Sequence, residues 1–174
     1  MIQNMRTRLI FLILLFGFVS TSGAQSTHSW DRWNWLLGKW QGKGSGQPGK
    51  GSGTFTFTLD LDGRIIVRKN HTEYPASGNK AAVVHDDLMI IYPDPVEHKD
   101  RAVYFDNEGH TIFYSVSCSD TSIVLTSDKI PDNPVYRLVY TLIDNETVNI
   151  GFEMSRDGSS FTPYLEGKSR RVTF

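Results

Sequence analysis

The residues that could do chemistry are few and scattered. Five histidines, His28, His71, His85, His98 and His110, form no HExxH pair. In RIIVRKNHTEY, His71 and Glu73 lie two residues apart, so on a strand they share one face. There the imidazole would serve as a base, with Glu73 or the more distant Glu153 as the orienting or acid group. Arg68, Arg101 and Arg137 each alternate with apolar or β-branched neighbours, the setting of a guanidinium that holds an anion or an ion pair. Glu153 and Glu166 are candidate partners for Arg137. His85-Asp86-Asp87 offers one imidazole and two carboxylates, but adjacent strand residues point to opposite faces and seldom bind one ion together. Cys118 is the sole cysteine, which leaves no disulfide and no mixed zinc site; in IFYSVSCS it reads as a small buried hydrophobe. Gly44, four residues and then Gly49-Lys50 approach a phosphate loop, yet Gly51 stands where a Ser or Thr must hold magnesium, and a strand-like run follows where a helix is required. Neither a metal site nor a cofactor is expected, and there is no Gly-x-Ser-x-Gly elbow.

These residues sit in a chain of 174, of which 39% are hydrophobic, enough for one domain with an ordinary core. Arg6 and Arg8 precede an apolar run from Leu9 to Val19, and small residues end at Ala24. A run of 11 residues falls short of the roughly 20 needed to span a bilayer, so residues 1–24 read as a cleaved signal peptide and 25–174 as the mature domain, secreted or periplasmic. Cleavage leaves sixteen basic against nineteen acidic residues, a net charge of −3, with no basic and aromatic clustering, so no nucleic-acid partner is expected. No membrane span is expected to persist after cleavage, and the sequence leaves the oligomeric state open.

The elements that must position these residues are mostly strands. Ser29 caps an expected short N-terminal helix of about two turns, with Trp30, Trp33, Leu36 and Leu37 on one face and Gly38 ending it. GKGSGQPGKGSG, with six glycines in twelve positions, reads as a flexible loop or a sharply bent strand. In TFTFTLD, Phe55, Phe57 and Leu59 alternate with threonines, and Asp62-Gly63 turns the chain into RIIVRKNHTEY. Here Ile66, Arg68, Asn70 and Thr72 share one face while Ile65, Val67, Lys69, His71 and Glu73 share the other, and either could line an interior. Further strands are expected over 82–92, 101–105, 111–117, 122–127, 135–142, 147–154 and 163–172, separated by turn residues. With a short strand at Trp40, that gives an all-β fold: an antiparallel meander β-barrel of about ten strands, in which closure removes the edges.

The string Trp35-Leu36-Leu37-Gly38-Lys39-Trp40-Gln41-Gly42-Lys43-Gly44, followed by hairpins and a late Asp157-Gly158-Ser159-Ser160-Phe161, resembles the lipocalin-like barrels of the calycin group. More narrowly, it is similar to the small proteins of the DUF1579 kind and to nitrobindin-like barrels. The resemblance implies an internal cavity closed at one end by the Trp30 and Trp33 segment. Nitrobindin-like members hold haem through a histidine near the C-terminal end; here the last histidine is His110, which leaves the expectation of an apolar ligand. The leading expectation is therefore a binding protein for a small hydrophobic or amphipathic molecule. Phe55, Phe57, Tyr114 and Phe152 would form apolar wall, and Arg68, Arg101 or Arg137, with His71 at the rim, would meet the polar end. The alternatives are an isomerase or hydrolase built on His71, Glu73 and Glu153 in the same cavity, and a structural or adhesive protein with a filled core.

Overall fold

Alternating patterns of this kind bury one face of every strand, and a sheet of ten such strands can bury them all against one another by closing. The computed structural model describes residues 28–46 and 49–172; the proposed signal peptide at 1–24 lies outside them. Ten strands follow in order: β1 Gly38–Gly46, β2 Gly51–Asp60, β3 Ile65–Tyr74, β4 Val83–Pro93, β5 Asp100–Asp106, β6 Thr111–Cys118, β7 Ser122–Ser127, β8 Val135–Asp144, β9 Thr147–Ser155 and β10 Thr162–Arg171. Each pairs antiparallel with its sequence neighbour, and β1 pairs with β10 to close the barrel. None of the described helices is long and apolar enough to cross a membrane.

The expected N-terminal helix is not formed. The segment is a single 3-10 turn, Asp31–Trp33, starting after Trp30, and the Ser29 hydroxyl bonds Asp31 instead of capping a helix. The segment is held from the far end of the chain. Arg171, opposite Trp40 in the β1–β10 register, donates to the carbonyls of Trp35 and Leu37, each at 2.6 Å, and its guanidinium lies 4.3 Å from the Trp40 ring centre. Those carbonyls are thus satisfied without a helix, and Gly38 at φ +115 turns the chain straight into β1.

The plug seals one end of the barrel. Trp30 donates its indole N–H to Gly63 O at 2.7 Å, Trp33 to Asp100 at 3.1 Å and Trp40 to Leu36 O at 2.8 Å. Around them Leu36, Phe57, Ile66, Met89, Ile91, Ala102, Ile123, Leu125 and Val148 are all fully buried. Phe55 and Phe57 of β2 meet Tyr140 of β8 at ring-centre distances of 5.9 and 5.3 Å. Because β2 and β8 are not neighbours, these contacts cross the interior, so the plugged half is a solid core. The glycine-rich stretch forms a tight corner of β1, β2 and β10: a Cβ at Gly42 would overlap the Lys168 carbonyl, and one at Gly51 would lie 2.6 Å from the Tyr74 ring.

Candidate functional site

Above the Phe55–Tyr140 layer the interior changes character. The inward residues towards the open end are Arg68, Asn70, Thr72 and Tyr74 on β3, His85 and Asp87 on β4, Tyr104 and Asp106 on β5, Tyr114 on β6, Tyr136 on β8 and Phe152 on β9. Aromatic contacts here run along the wall. Tyr104–Tyr114 at 6.5 Å and Tyr136–Phe152 at 5.6 Å join neighbouring strands, as does Phe152 with Tyr164 of β10 at 5.9 Å. Tyr74, Tyr136, Phe152 and Met154 keep part of their surface exposed although they face inward, so solvent enters this half. From Arg68 to Tyr74 the strand rises about 20 Å, the length of wall above the floor.

The floor of the cup is charged. Arg68, 6% exposed, pairs with the equally buried Asp87, and its guanidinium lies 5.8 Å from the Phe55 ring centre. Burial opposes the Arg68 charge, but Asp87 outweighs it and holds the guanidinium firmly protonated. Two buried floor atoms, Arg68 Nε and the Tyr140 hydroxyl, make no close hydrogen bond, although the two side chains adjoin and each favours the other's polar group. Burial pushes Tyr140 up to about 12, so it stays a neutral phenol, with the Arg68 charge acting the other way.

A hydrogen-bonded chain climbs from this floor to the rim. His85 Nε2 lies 3.4 Å from Asp87 and 3.0 Å from the Tyr104 hydroxyl, while Nδ1 lies 3.0 Å from Glu108 in the β5–β6 turn. The bond to Asp87, against the opposing effect of burial and with help from Glu108, raises His85 to about 9. Tyr104 donates to Asp106 at 3.2 Å, and burial together with Asp87 and Asp106 pushes its phenol far up. Burial would raise Asp106, but backbone N–H bonds at Glu108 and His110 and the His110 ring hold it below the usual carboxylate range. The cup therefore brings cationic Arg68 and His85 beside the carboxyl groups of Asp87, Asp106 and Glu108.

The residues singled out from sequence divide between the two faces. Arg68, Tyr114 and Phe152 face the interior, as do Phe55 and Phe57. His71, Arg101 and Arg137 lie on the outer wall, outside the cup, because each shares the parity of the solvated face and meets a carboxylate there. Arg101 pairs with Asp128 at 2.5 Å and Arg137 with Glu153 at 2.5 Å. His71 touches Asp86 at 2.6 Å and Glu73 at 3.2 Å, so imidazole and carboxylates do converge, but about half exposed on the outside of β3 and β4. Glu153 is committed to Arg137 and does not join them. The bond to Asp86, then that to Glu73, raises His71 above its ordinary value. A shallow concavity of about 670 Å³ adjoins it, lined by Lys39, Thr54, Thr56, Lys69 and Leu88, and a second of about 480 Å³ lies over β1 and β10. The second lies away from the polar floor, whereas the first also counts Phe55, Asn70 and Asp87 among its lining. Among the described residues, no group of three His, Cys, Asp or Glu side chains is placed to hold a metal ion.

Sequence reasoning weighed His85 and Asp87 only as metal ligands and did not single out Tyr104 or Tyr140. The available signal was the alternation His85, Asp87, Met89, Ile91, in which two polar groups continue an apolar face.

Comparison with solved structures agrees with the barrel. The crystal structure of Rv2717c from M. tuberculosis superposes with a TM-score of 0.57 at 14% identity, covering 82% of this chain and 96% of that one. A designed fluorescence-activating β-barrel gives a TM-score of 0.42 at 14% identity, covering 82% of this chain and 98% of that one. No family model matches the chain, and no curated protein matches it.

Proposed function

We propose that the protein binds a small amphipathic molecule in the open half of the barrel, its apolar body against Tyr136, Phe152, Tyr114 and Tyr164 and its polar end on the Arg68–Tyr140 floor. The observation that carries this reading is the pair of buried, unpartnered polar atoms, Arg68 Nε and Tyr140 Oη, beneath a cup whose aromatic contacts do not cross it. Buried polar groups are nearly always satisfied, and Arg68 and Tyr140 meet each other without a close hydrogen bond, so the floor would gain from a further acceptor. An apolar wall with a few convergent polar groups is the usual make-up of a small-molecule site.

In this reading the chain is a lipocalin-like carrier of the DUF1579 kind, and its leader directs it to a secreted or periplasmic setting. Haem, the ligand a nitrobindin-like kinship would bring, does not fit the residues present. His85 is the histidine that faces the cup; both its ring nitrogens are engaged and, raised to about 9, it holds its proton, so it has no lone pair for iron. Native mass spectrometry of the full chain, gently purified from a host that secretes it, tests the proposal. A one-to-one small-molecule adduct is expected; a bare mass, unchanged after exposure to the host's lipid and metabolite extract, would overturn it.

A further inference from the structure

Independently of the cup, we propose that the outer wall of β3 to β6 is an interface on which two copies of this chain pack face to face as a symmetric dimer. Strand alternation sends Ile66, Arg68, Met89, Ile91, Ala102 and Tyr114 inward, so the residues between them look out. Register sets Val67, Ile90, Val103 and Phe113 in one cross-strand row of that outer wall, and pairs Leu88 with Phe105 in the next row towards the mouth. Ile65 and Tyr92 extend the patch one row towards the plug. Phe113 stays 49% exposed and Phe105 40%. A wall that meets only water is polar, as it is on β1 and β2 of this barrel, where the outward positions are Lys39, Gln41 and Lys43, then Ser and Thr from Ser52 to Thr58.

Area, shape and charge point to a second copy as the occupant. With strands about 4.8 Å apart and same-face residues about 6.7 Å apart, the patch covers roughly 300 Å². A stable dimer of ordinary size buries about 800 Å² per copy, an apolar core within a polar rim, and this patch has the extent of such a core. Its residues lie mid-strand, not on loop tips that could enter a lipid surface, and the closed barrel has no free edge for an added strand. A two-fold axis in the contact plane, running along the strands between β4 and β5, sets β4 against the copy's β5 and β3 against its β6. Leu88 then meets the copy's Phe105, Ile90 its Val103 and Val67 its Phe113, and the symmetry makes each contact twice. Phe113, the most exposed of the set, stands on the flank where a convex wall falls away, and small Val67 opposes it, so the surface complements itself. No charge is buried unpaired: Arg101 at one edge is already held by Asp128, and the stem of Lys69 at another carries its ammonium to water.

Sedimentation equilibrium of the purified protein, at concentrations up to about 100 µM, reads the association directly. A two-copy mass is expected. Phe113→Lys, a change outside the core, should weaken association by at least about tenfold and leave Tm and the near-ultraviolet circular dichroism as in wild type. Val67→Glu should do the same, and because Val67 and Phe113 oppose each other across the axis, the two variants should regain the two-copy mass when mixed. A one-copy mass at every concentration overturns the inference. So does a two-copy mass that Phe113→Lys leaves untouched, which puts the contact elsewhere, and a mixture of the two variants that stays at one copy refutes this packing. A chain that stays single and instead floats with phosphatidylcholine vesicles, an association lost in Phe113→Lys, would give the wall to lipid and overturn the inference too. None of these results bears on the cup, whose ligand is sought separately as a mass adduct.

Discussion

Replacing Tyr140 by Phe should make the protein more stable, which is unusual for a change at a fully buried site. The Tyr140 side chain is 0% exposed and its hydroxyl meets no hydrogen-bond partner. Burying a hydroxyl unpaired costs about 1–3 kcal/mol, and Tyr140→Phe removes that cost while keeping the ring contacts to Phe55 and Phe57. Against it stands the loss of a phenol dipole beside the Arg68 charge, so a net gain of about 1 kcal/mol is expected, or roughly 2–4 °C in Tm for a domain of this size. Tyr104→Phe is the internal control, because that hydroxyl is bonded to His85 and Asp106 and its removal should cost about 1–2 kcal/mol. Urea unfolding followed by tryptophan fluorescence measures both. Should Tyr140→Phe lose more than about 1 kcal/mol, its hydroxyl is satisfied in the free protein, and the chief reason for placing a ligand on this floor disappears.

The remaining expectations concern the ion pair, the plug and the dependence on pH. Arg68→Met leaves the buried Asp87 with only its longer contact to His85, so it should cost about 3 kcal/mol by urea midpoint, and the double replacement with Asp87→Leu should recover much of the loss; a single variant as stable as wild type would mean that the pair is open to water. Arg171→Ala removes two charged hydrogen bonds at 2.6 Å and the stacking on Trp40, and should cost about 2–4 kcal/mol. Near-ultraviolet circular dichroism should then show loosened tryptophans, and an unchanged spectrum would count against Arg171 as the bolt of the plug. His85 is raised in the folded state to about 9, so its stabilising effect is whole below about pH 6.5, fades as pH rises towards 9 and is gone above it. With a quarter of its side chain exposed, the effect is on the order of 1–2 kcal/mol, and a His85→Gln variant should lack it across that range. A wild-type stability curve that rises over the same interval would contradict the assignment.

Strand alternation made most of the barrel legible. Phe55 and Phe57 against Thr54 and Thr56 announced an inward and an outward face on β2, and the turns at Asp62-Gly63 and Asp144-Asn145 fell where the hairpins close. What alternation could not give is which face of β3 looks inward, because Ile66 with Arg68 and Ile65 with Val67 both begin apolar. Register decides it: Arg68 stands opposite Phe57 and Met89, so it is carried inside with them, and His71 is carried out to Asp86. The cup was illegible for a related reason. Tyr104, Tyr114, Tyr136 and Tyr140 lie on three strands with no motif in common, and only closure brings them round one axis. The N-terminal turn was read as a helix from its apolar spacing alone, while the arginine that holds its Trp35 and Leu37 carbonyls is more than 130 residues away and left no local signal.

The most direct test of the account is nitrogen-15 NMR of the full chain, following the arginine Nε–H signals as a neutral aromatic ketone, 2-acetylnaphthalene, is added. The account expects the Arg68 signal to move most, by formation of a new hydrogen bond, while Arg101 and Arg137, held by Asp128 and Glu153 on the outer wall, stay in place. Saturable binding that shifts Arg101, Arg137 or the His71 ring and leaves Arg68 untouched would put the site on the outside of the barrel and contradict the central claim.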